Sequence, residues 1–166
     1  FVMLDRLTSE GIASFDAMQE AMSEKTDPLK LHPRHMIIFA KNRDGLRNLY
    51  KLISFSYLNY YKRFPRIPKS VLEQYREGLI IGSACEAGEL YKAIIDNKSL
   101  QEIEEIASFY DYLEIQPIAN NRFLIADEKV KDDEQLKDIN RRIYALGKKL
   151  GKPVCATCDA HFLNEE

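Results

Sequence analysis

A short apolar run near the middle of the sequence reads Leu79-Ile80-Ile81-Gly82-Ser83, with Glu77-Gly78 before it and Ala84-Cys85-Glu86 after it. A run of this length, rich in β-branched residues and bounded by glycine, is typical of a strand buried on both faces. A similar apolar run lies at 35–40, and shorter segments at 112–115 and 154–157 also predict strands. We therefore predict four short strands that are separated by longer segments.

The segments between these strands carry apolar residues at helical spacing. They predict helices near 46–59, 70–76, 86–95, 99–110 and 132–150. In the first helix the apolar positions are Leu46, Leu49, Leu52, Ile53 and Tyr57, and we interpret such stripes as core. Strands that alternate with helices predict an α/β fold in which helices cover a parallel sheet.

Bulk composition excludes several classes of protein. The 166 residues are 45% hydrophobic and 30% charged, with a net charge of −2, so the average charge gives no indication of nucleic-acid binding. No apolar segment approaches the roughly 18–20 residues of a membrane span. Three cysteines without a secretion signal favour reduced thiols and a cytoplasmic location.

The first 33 residues differ from the remainder of the chain. They contain two short helical candidates, at 3–9 and 14–23, and a polar, proline-punctuated segment at 25–33 that is typical of a linker. The chain opens on Phe1-Val2 rather than on methionine. We therefore expect a segment of a longer protein.

Residues with chemical potential follow the predicted strands, where the sites of parallel α/β folds collect. Cys85-Glu86 follows the second strand, Glu114 lies in the third, and Cys158-Asp159-Ala160-His161 follows the fourth. Asp159 and His161 would point to the same side of an extended chain, and a carboxylate with an imidazole can share a divalent metal. The alternative is that Asp159 caps a turn and His161 is a half-buried histidine.

The spacing Cys155-x-x-Cys158-x-x-His161 allows a zinc knuckle or a redox pair as another interpretation. A knuckle needs a fourth ligand at close spacing, and the remaining histidines, His32 and His35, lie far upstream. Cys155 and Cys158 would also point to opposite faces of a strand. We therefore interpret Cys155 as a small core residue.

The segment at 60–69 combines four cations with three aromatic residues. That mixture can follow a phosphate backbone and stack on bases. The alternative, which we favour here, is a solvated loop with its aromatic side chains tucked beneath it.

Five longer motifs follow one another along the chain. They are Arg34-His35-Met36-Ile37-Ile38-Phe39-Ala40-Lys41-Asn42, Gly45-Leu46-Arg47-Asn48-Leu49-Tyr50, Pro65-Arg66-Ile67-Pro68, Gly78-Leu79-Ile80-Ile81-Gly82-Ser83-Ala84-Cys85 and Lys152-Pro153-Val154-Cys155-Ala156-Thr157-Cys158-Asp159-Ala160-His161. Together these motifs resemble a known family, the PHP domain of bacterial DNA polymerase III alpha subunits. The resemblance runs in order over roughly 34–163, and 109–117 with 121–123 favour the PolC branch over the DnaE branch.

The resemblance implies a partial, distorted TIM-like (β/α)7 barrel with metal ions at the carboxyl ends of its strands. The positions that match the family's ligands are His35, Cys85, Asp159 and His161. The donor set suits zinc, or manganese where nitrogen and oxygen dominate. The resemblance also implies that 1–33 is a connector that follows an inserted exonuclease domain, and that 34–166 is the C-terminal half of the PHP domain.

The same resemblance implies a parent enzyme, a DNA-directed DNA polymerase with an associated 3′–5′ exonuclease that uses magnesium. The partners it implies are the remainder of the polymerase chain, DNA through the parent protein, and replisome proteins, without a membrane. The role we expect for this segment is structural or that of a vestigial phosphoesterase, and the isolated segment is expected to be inactive. Two alternatives stay open: a stand-alone metal-dependent PHP phosphoesterase and a metal-free interaction module.

Overall fold

The computed structural model describes residues 2–3 and 30–158. The chain divides into two compact units. The first unit comprises Phe1–Arg34 and Ile38–Ile80, and the second comprises His35–Ile37 and Ile81–Glu166. The helical candidate at 14–23 and most of the one at 3–9 fall outside the described residues.

A three-stranded sheet lies in the first unit, in the order β2-β1-β4. Strand β1 (Val2–Met3) runs antiparallel to β2 (Pro33–Arg34) and parallel to β4 (Ile67–Pro68). Our expectation that Met3 begins a helix is therefore wrong. The backbone of Met3 pairs with strands on both sides, and such pairing outweighs the weak local propensity of a short segment.

Helix α1 (Arg43–Leu58) begins where the side chain of Asn42 accepts a hydrogen bond from the backbone N–H of Gly45 at 2.8 Å. Such a cap satisfies one of the donors that a helix start leaves without a partner. The inward face of α1 includes Gly45, Leu52 and Ser56, all of them buried. Helix α2 (Lys69–Gln74) follows β4 and buries Val71 and Leu72.

The predicted core stripe of α1 is largely wrong. Leu46, Ile53 and Tyr57 have exposed fractions of 40%, 43% and 58%, whereas Leu52 is fully buried. The reason is a close backbone contact: a Cβ atom at Gly45 would lie 1.8 Å from the carbonyl oxygen of Gly78. The helix can approach Gly78 this closely only at a residue without a side chain, so Gly45 faces inwards. In this orientation Leu46, Ile53 and Tyr57 of the predicted stripe are exposed to solvent.

Strands β3 (Ile37–Ala40) and β5 (Leu79–Gly82) form a two-stranded sheet. Both were predicted from sequence as strands within one to two residues of these bounds. The expectation that β3 is buried on both faces is wrong, because Ile37 and Phe39 are 37% and 54% exposed.

The second unit combines a short parallel sheet with helices. Strand β6 (Leu113–Ile115) pairs in parallel with β7 (Val154–Ala156), and Gly82 forms a parallel bridge with Tyr112. The helices are α3 (Glu89–Ile95), α4 (Leu100–Phe109), α5 (Phe123–Ala126) and α6 (Asp133–Leu150), with a 3-10 turn at Ile118–Asn121. The 3-10 turn and α5 were not predicted.

Local signals explain the ends of the two longer helices of this unit. Ser99 and Glu102 form a reciprocal capping box at the start of α4. Asp132 caps α6, and Gly151 ends it in the left-handed conformation, with φ of 64°. Leu136, Ile139 and Ile143 of α6 are at most 2% exposed, as their spacing predicted.

The α/β class agrees with expectation, as does the parallel pairing of β6 with β7, whereas β1 and β2 pair antiparallel. Within the described residues the strands form separate sheets of two and three strands, so the partial (β/α)7 barrel stays a prediction. None of the helices in the described part of the chain has the length and apolarity that crossing a membrane requires.

Candidate metal centre

His35 and Cys85 come together in the second unit although 50 residues separate them in sequence. His35 forms a parallel bridge with Gly88, and its backbone N–H donates to the carbonyl oxygen of Ala87 at 3.1 Å. The backbone N–H of Gly88 in turn donates to the carbonyl oxygen of Cys85 at 2.9 Å. These backbone bonds hold the loop that follows β5 against His35, two residues before β3.

The side chains meet as a consequence of that backbone arrangement. His35 Nδ1 lies 3.3 Å from Cys85 Sγ. Ala84, immediately before the cysteine, has φ of 59°, in the region that non-glycine residues rarely adopt. The chain therefore turns sharply at the end of β5. Such unusual backbone often occurs where a side chain must take one particular direction.

The Cys85 thiol is half-buried and free of any disulfide. Burial raises the pKa of this thiol, the backbone N–H of Ala87 lowers it, and the carboxylate of Glu86 raises it further. A nearby cation has the opposite effect, because it stabilises the thiolate directly.

Glu114 lies beside this region in the same unit, in β6, and is 6% exposed. Its backbone N–H donates to Ser83 Oγ at 2.9 Å. Its two carboxylate oxygens accept hydrogen bonds from Tyr112 Oη at 2.8 Å and from Thr157 Oγ1 at 3.0 Å. The pKa of Tyr112 is raised well above its ordinary value. The main cause is burial of the phenol, and the hydrogen-bonded carboxylate of Glu114 raises the pKa further.

This carboxylate therefore has a structural function in the described geometry. Both of its oxygens have protein donors, and Thr157 extends the parallel ladder through its backbone N–H to the carbonyl oxygen of Ile115 at 3.0 Å. Glu114 thus anchors the end of β7, immediately before Cys158. The sequence analysis singled out Glu114 but missed Tyr112 and Thr157. Their position was a usable signal, because each carries a hydroxyl at one end of a predicted strand, Tyr112 just before β6 and Thr157 just after β7.

Replacing Thr157 by valine tests this anchor. Thr157→Val keeps the shape of the side chain but removes one donor from a buried carboxylate, so we expect a loss of about 1–3 kcal/mol in the free energy of unfolding. Urea denaturation of the chain measures it. The control Thr157→Ser retains the hydroxyl and should lose less than about 1 kcal/mol; equal losses in the two variants would contradict the anchoring role.

The predicted site residues divide into two groups. His35 and Cys85 are brought together, whereas Asp159 and His161 lie outside the described residues. Within the part of the chain that the structure describes, no group of three or more histidine, cysteine or carboxylate side chains is arranged to hold a metal. The described residues therefore contain one pair of the predicted donors.

The prediction for Cys155 is wrong, because this residue is exposed rather than part of the core. Val154, its neighbour in β7, faces α6: a Cβ atom at Gly147 would lie 2.2 Å from Val154 Cγ2. Because side chains alternate along a strand, Cys155 points away from that helix. Cys158 is also exposed and carries a free thiol.

The cationic and aromatic loop belongs to the first unit. Tyr60 is 5% exposed, as the interpretation of a loop with aromatic side chains beneath it predicts, and Phe64 is half-buried. Tyr61, by contrast, is 53% exposed. Arg66 is buried, with its guanidinium carbon 5.8 Å from the centre of the Phe64 ring.

Comparison with known proteins places the chain in a defined class. Residues 9–118 match the PHP domain family. This match covers more than half of the chain, and the chain belongs to the PHP domain family.

The similar curated proteins are considerably longer. The chain is 58% identical over 147 residues to the PolC-type DNA polymerase III of Clostridium perfringens, an alignment that covers 89% of this chain and 10% of the relative. It is 51% identical over 156 residues to the PolC-type DNA polymerase III of Caldanaerobacter subterraneus, an alignment that covers 93% of this chain and 11% of the relative. It is 47% identical over 164 residues to the PolC-type DNA polymerase III of Bacillus subtilis, and here 99% of this chain and 11% of the relative are covered. The chain therefore spans about a tenth of the length of these relatives.

Proposed function

We propose that the chain acts as part of the PHP domain of a PolC-type replicative DNA polymerase. The observation that carries this proposal is the identity of 58% over 89% of the chain to one such polymerase. On this proposal the parent protein extends DNA, with magnesium at its polymerase site and a 3′–5′ exonuclease in the same chain. It acts in the cytoplasm with replisome proteins. Residues 1–33 are a connector, and 34–166 are the C-terminal half of the PHP domain.

The role of this segment in the parent protein is to complete a metal centre with a structural function. His35 and Cys85 supply an imidazole nitrogen and a thiol sulfur to it. Two such ligands of one tetrahedral zinc ion, at about 2.0–2.1 and 2.3 Å from the metal, lie about 3.6 Å apart. The Nδ1–Sγ distance of 3.3 Å is close to that separation, so the pair fits a shared metal.

Asp159 and His161 complete the proposed ligand set. They follow β7, whose end is anchored to β6 through Thr157 and Glu114. Zinc suits a set that includes a thiolate, and manganese suits one in which nitrogen and oxygen donors dominate. A bound cation would supply the charge that holds Cys85 as a thiolate, and it would add to the backbone bonds between His35 and the loop that follows β5.

Metal content of the full-length protein tests the centre. We expect elemental mass spectrometry of the purified wild-type protein to find zinc or manganese in a defined ratio to the chain. Cys85→Ser and the double variant Asp159→Ala/His161→Ala should each lose about one metal ion or more per chain. The matched control for the cysteine is Cys155→Ser, because Cys155 is exposed and belongs to no predicted ligand set.

Two results would contradict the metal centre. If Cys155→Ser lowered the metal content as much as Cys85→Ser, the loss would reflect general thiol binding. If wild-type protein held no metal, the alternative of a metal-free interaction module would replace this proposal. Templated primer extension by the full-length protein is a separate assay, and its absence would overturn the polymerase assignment without affecting the metal result.

A further inference from the structure

Charge is distributed very unevenly along the chain. Residues 30–80 contain eleven lysines and arginines but three aspartates and glutamates, an excess of eight positive charges, although the whole chain has a net charge of −2. Apart from 35–37, these residues belong to the first unit. A concentration of positive charge on one part of a protein is the electrostatic signature of a polyanion partner.

Helix α1 presents part of this charge together with exposed aromatic rings. Arg43, Arg47, Tyr50, Ser54 and Tyr57 recur at i, i+4, i+7, i+11 and i+14, so they share one face of the helix. All five are exposed, and the exposed fractions of Tyr50 and Tyr57 are 60% and 58%. The opposite face is the one that buries Gly45, Leu52 and Ser56.

The turn after α1 continues the same surface. The rings of Tyr57 and Tyr61 stack with centroids 6.0 Å apart and an angle of 24° between their planes. The Tyr61 hydroxyl donates to the backbone carbonyl oxygen of Arg63 at 3.1 Å, which restrains the second ring. Arg63 is exposed, with φ of 67°. The geometry therefore holds two stacked, half-exposed rings at the end of a helix face that also carries Arg43 and Arg47.

We propose that this surface, formed by Arg43, Arg47, Tyr50, Tyr57, Tyr61 and Arg63, binds single-stranded nucleic acid. Exposed aromatic rings provide stacking platforms for unpaired bases, and neighbouring cations contact the phosphates. A duplex keeps its bases stacked on one another, so it would use the arginines but leave the tyrosines without a role. The inference rests on the charge of 30–80 and on the geometry of α1 and the turn that follows it, and it is independent of the proposed metal centre.

Fluorescence anisotropy with a labelled oligothymidylate tests the proposal in the full chain. We expect the double variant Tyr57→Ala/Tyr61→Ala to bind at least about tenfold more weakly than wild type, because stacking contributes substantially per base. Tyr144→Ala is the matched control, since Tyr144 is also 53% exposed but lies on α6 in the second unit. Its affinity should stay within about twofold of wild type.

The arginines are tested by salt dependence. The variant Arg47→Gln/Arg63→Gln should lower the slope of log affinity against log salt by about 0.7 for each phosphate that the protein no longer neutralises. Arg141→Gln, at an exposed position of α6, should leave the slope unchanged. Thermal unfolding of each variant by circular dichroism checks that the fold is retained.

Four outcomes would overturn the proposal. The first is that wild-type protein binds no oligonucleotide at low salt, and the second is that Tyr144→Ala loses as much affinity as the tyrosine double variant. The third is that wild-type protein binds an abasic oligonucleotide of the same length as tightly as the oligothymidylate. The fourth is that it binds a duplex of that length more tightly than the single strand. Self-association of the chain that disappears in the tyrosine double variant, without oligonucleotide binding, would assign this surface to a second copy instead. None of these outcomes bears on the metal content of Cys85→Ser.

Discussion

Gly45→Ala is expected to destabilise the chain by about 2–4 kcal/mol, although alanine is the better helix former. The added Cβ atom would lie 1.8 Å from the carbonyl oxygen of Gly78 and 2.4 Å from its carbonyl carbon. Both are backbone atoms, which cannot move aside as the end of a flexible side chain can. Part of the loss is offset by helix propensity, worth about 1 kcal/mol in the opposite direction. Urea denaturation and thermal unfolding measure the loss.

Gly151→Ala is the matched control for this prediction. A Cβ atom at Gly151 would meet nothing within 4 Å, so the substitution adds strain only through its φ of 64°. We expect it to lose about 1 kcal/mol. If Gly45→Ala were as stable as wild type, α1 would not lie against Gly78, and the orientation that exposes Tyr50 and Tyr57 would also be wrong.

Leu113→Ala should produce a second large effect, a loss of about 2–5 kcal/mol in the free energy of unfolding. Leu113 is fully buried in β6, opposite Val154 of β7. Truncation leaves a cavity in a core that relaxes only partly, in the strand that positions Glu114. We expect the thermal midpoint to fall by roughly 2–4 °C per kcal/mol for a chain of this length.

Leu100→Ala provides the comparison, because the same atoms are removed from a side chain that is 72% exposed at the start of α4. Its effect should stay within about 0.5 kcal/mol. A similar loss in both variants would mean that β6 does not form the core of the second unit. Metal content of Leu113→Ala then provides an additional measurement: weaker metal retention would connect the packing of β6 to the proposed centre.

Charge illustrates how an average can hide a local feature. The net charge of −2 offered no indication of a polyanion partner, yet the excess of eight positive charges lies within 51 consecutive positions, 30–80. A windowed count could have detected that excess from sequence. The exposure of Tyr50 and Tyr57 could not have been detected in the same way, because apolar spacing alone had assigned Tyr57 to the core.

The sequence by itself determined most of the strands and helices in 35–157 and several of their ends, although β4, the 3-10 turn and α5 were not predicted. These features depend on near neighbours: apolar periodicity sets the type of element, and Asn42, Asp132 and Gly151 act on the turn of helix beside them. It also carried the family, through motifs such as the one around Cys85. The prediction that Asp159 and His161 are metal ligands rests on the sequence.

The tertiary structure decided which surfaces meet. Gly45 approaches Gly78 across 33 positions, and this contact, not the apolar stripe, sets the inward face of α1. His35 reaches Cys85 across 50 positions because the backbone of His35 pairs with the loop that follows β5. The hydroxyls of Tyr112 and Thr157 donate to the two carboxylate oxygens of Glu114, because the parallel register of β6 and β7 brings Thr157 beside Glu114. Such contacts depend on backbone atoms that are distant in sequence, and local patterns carry no information about them.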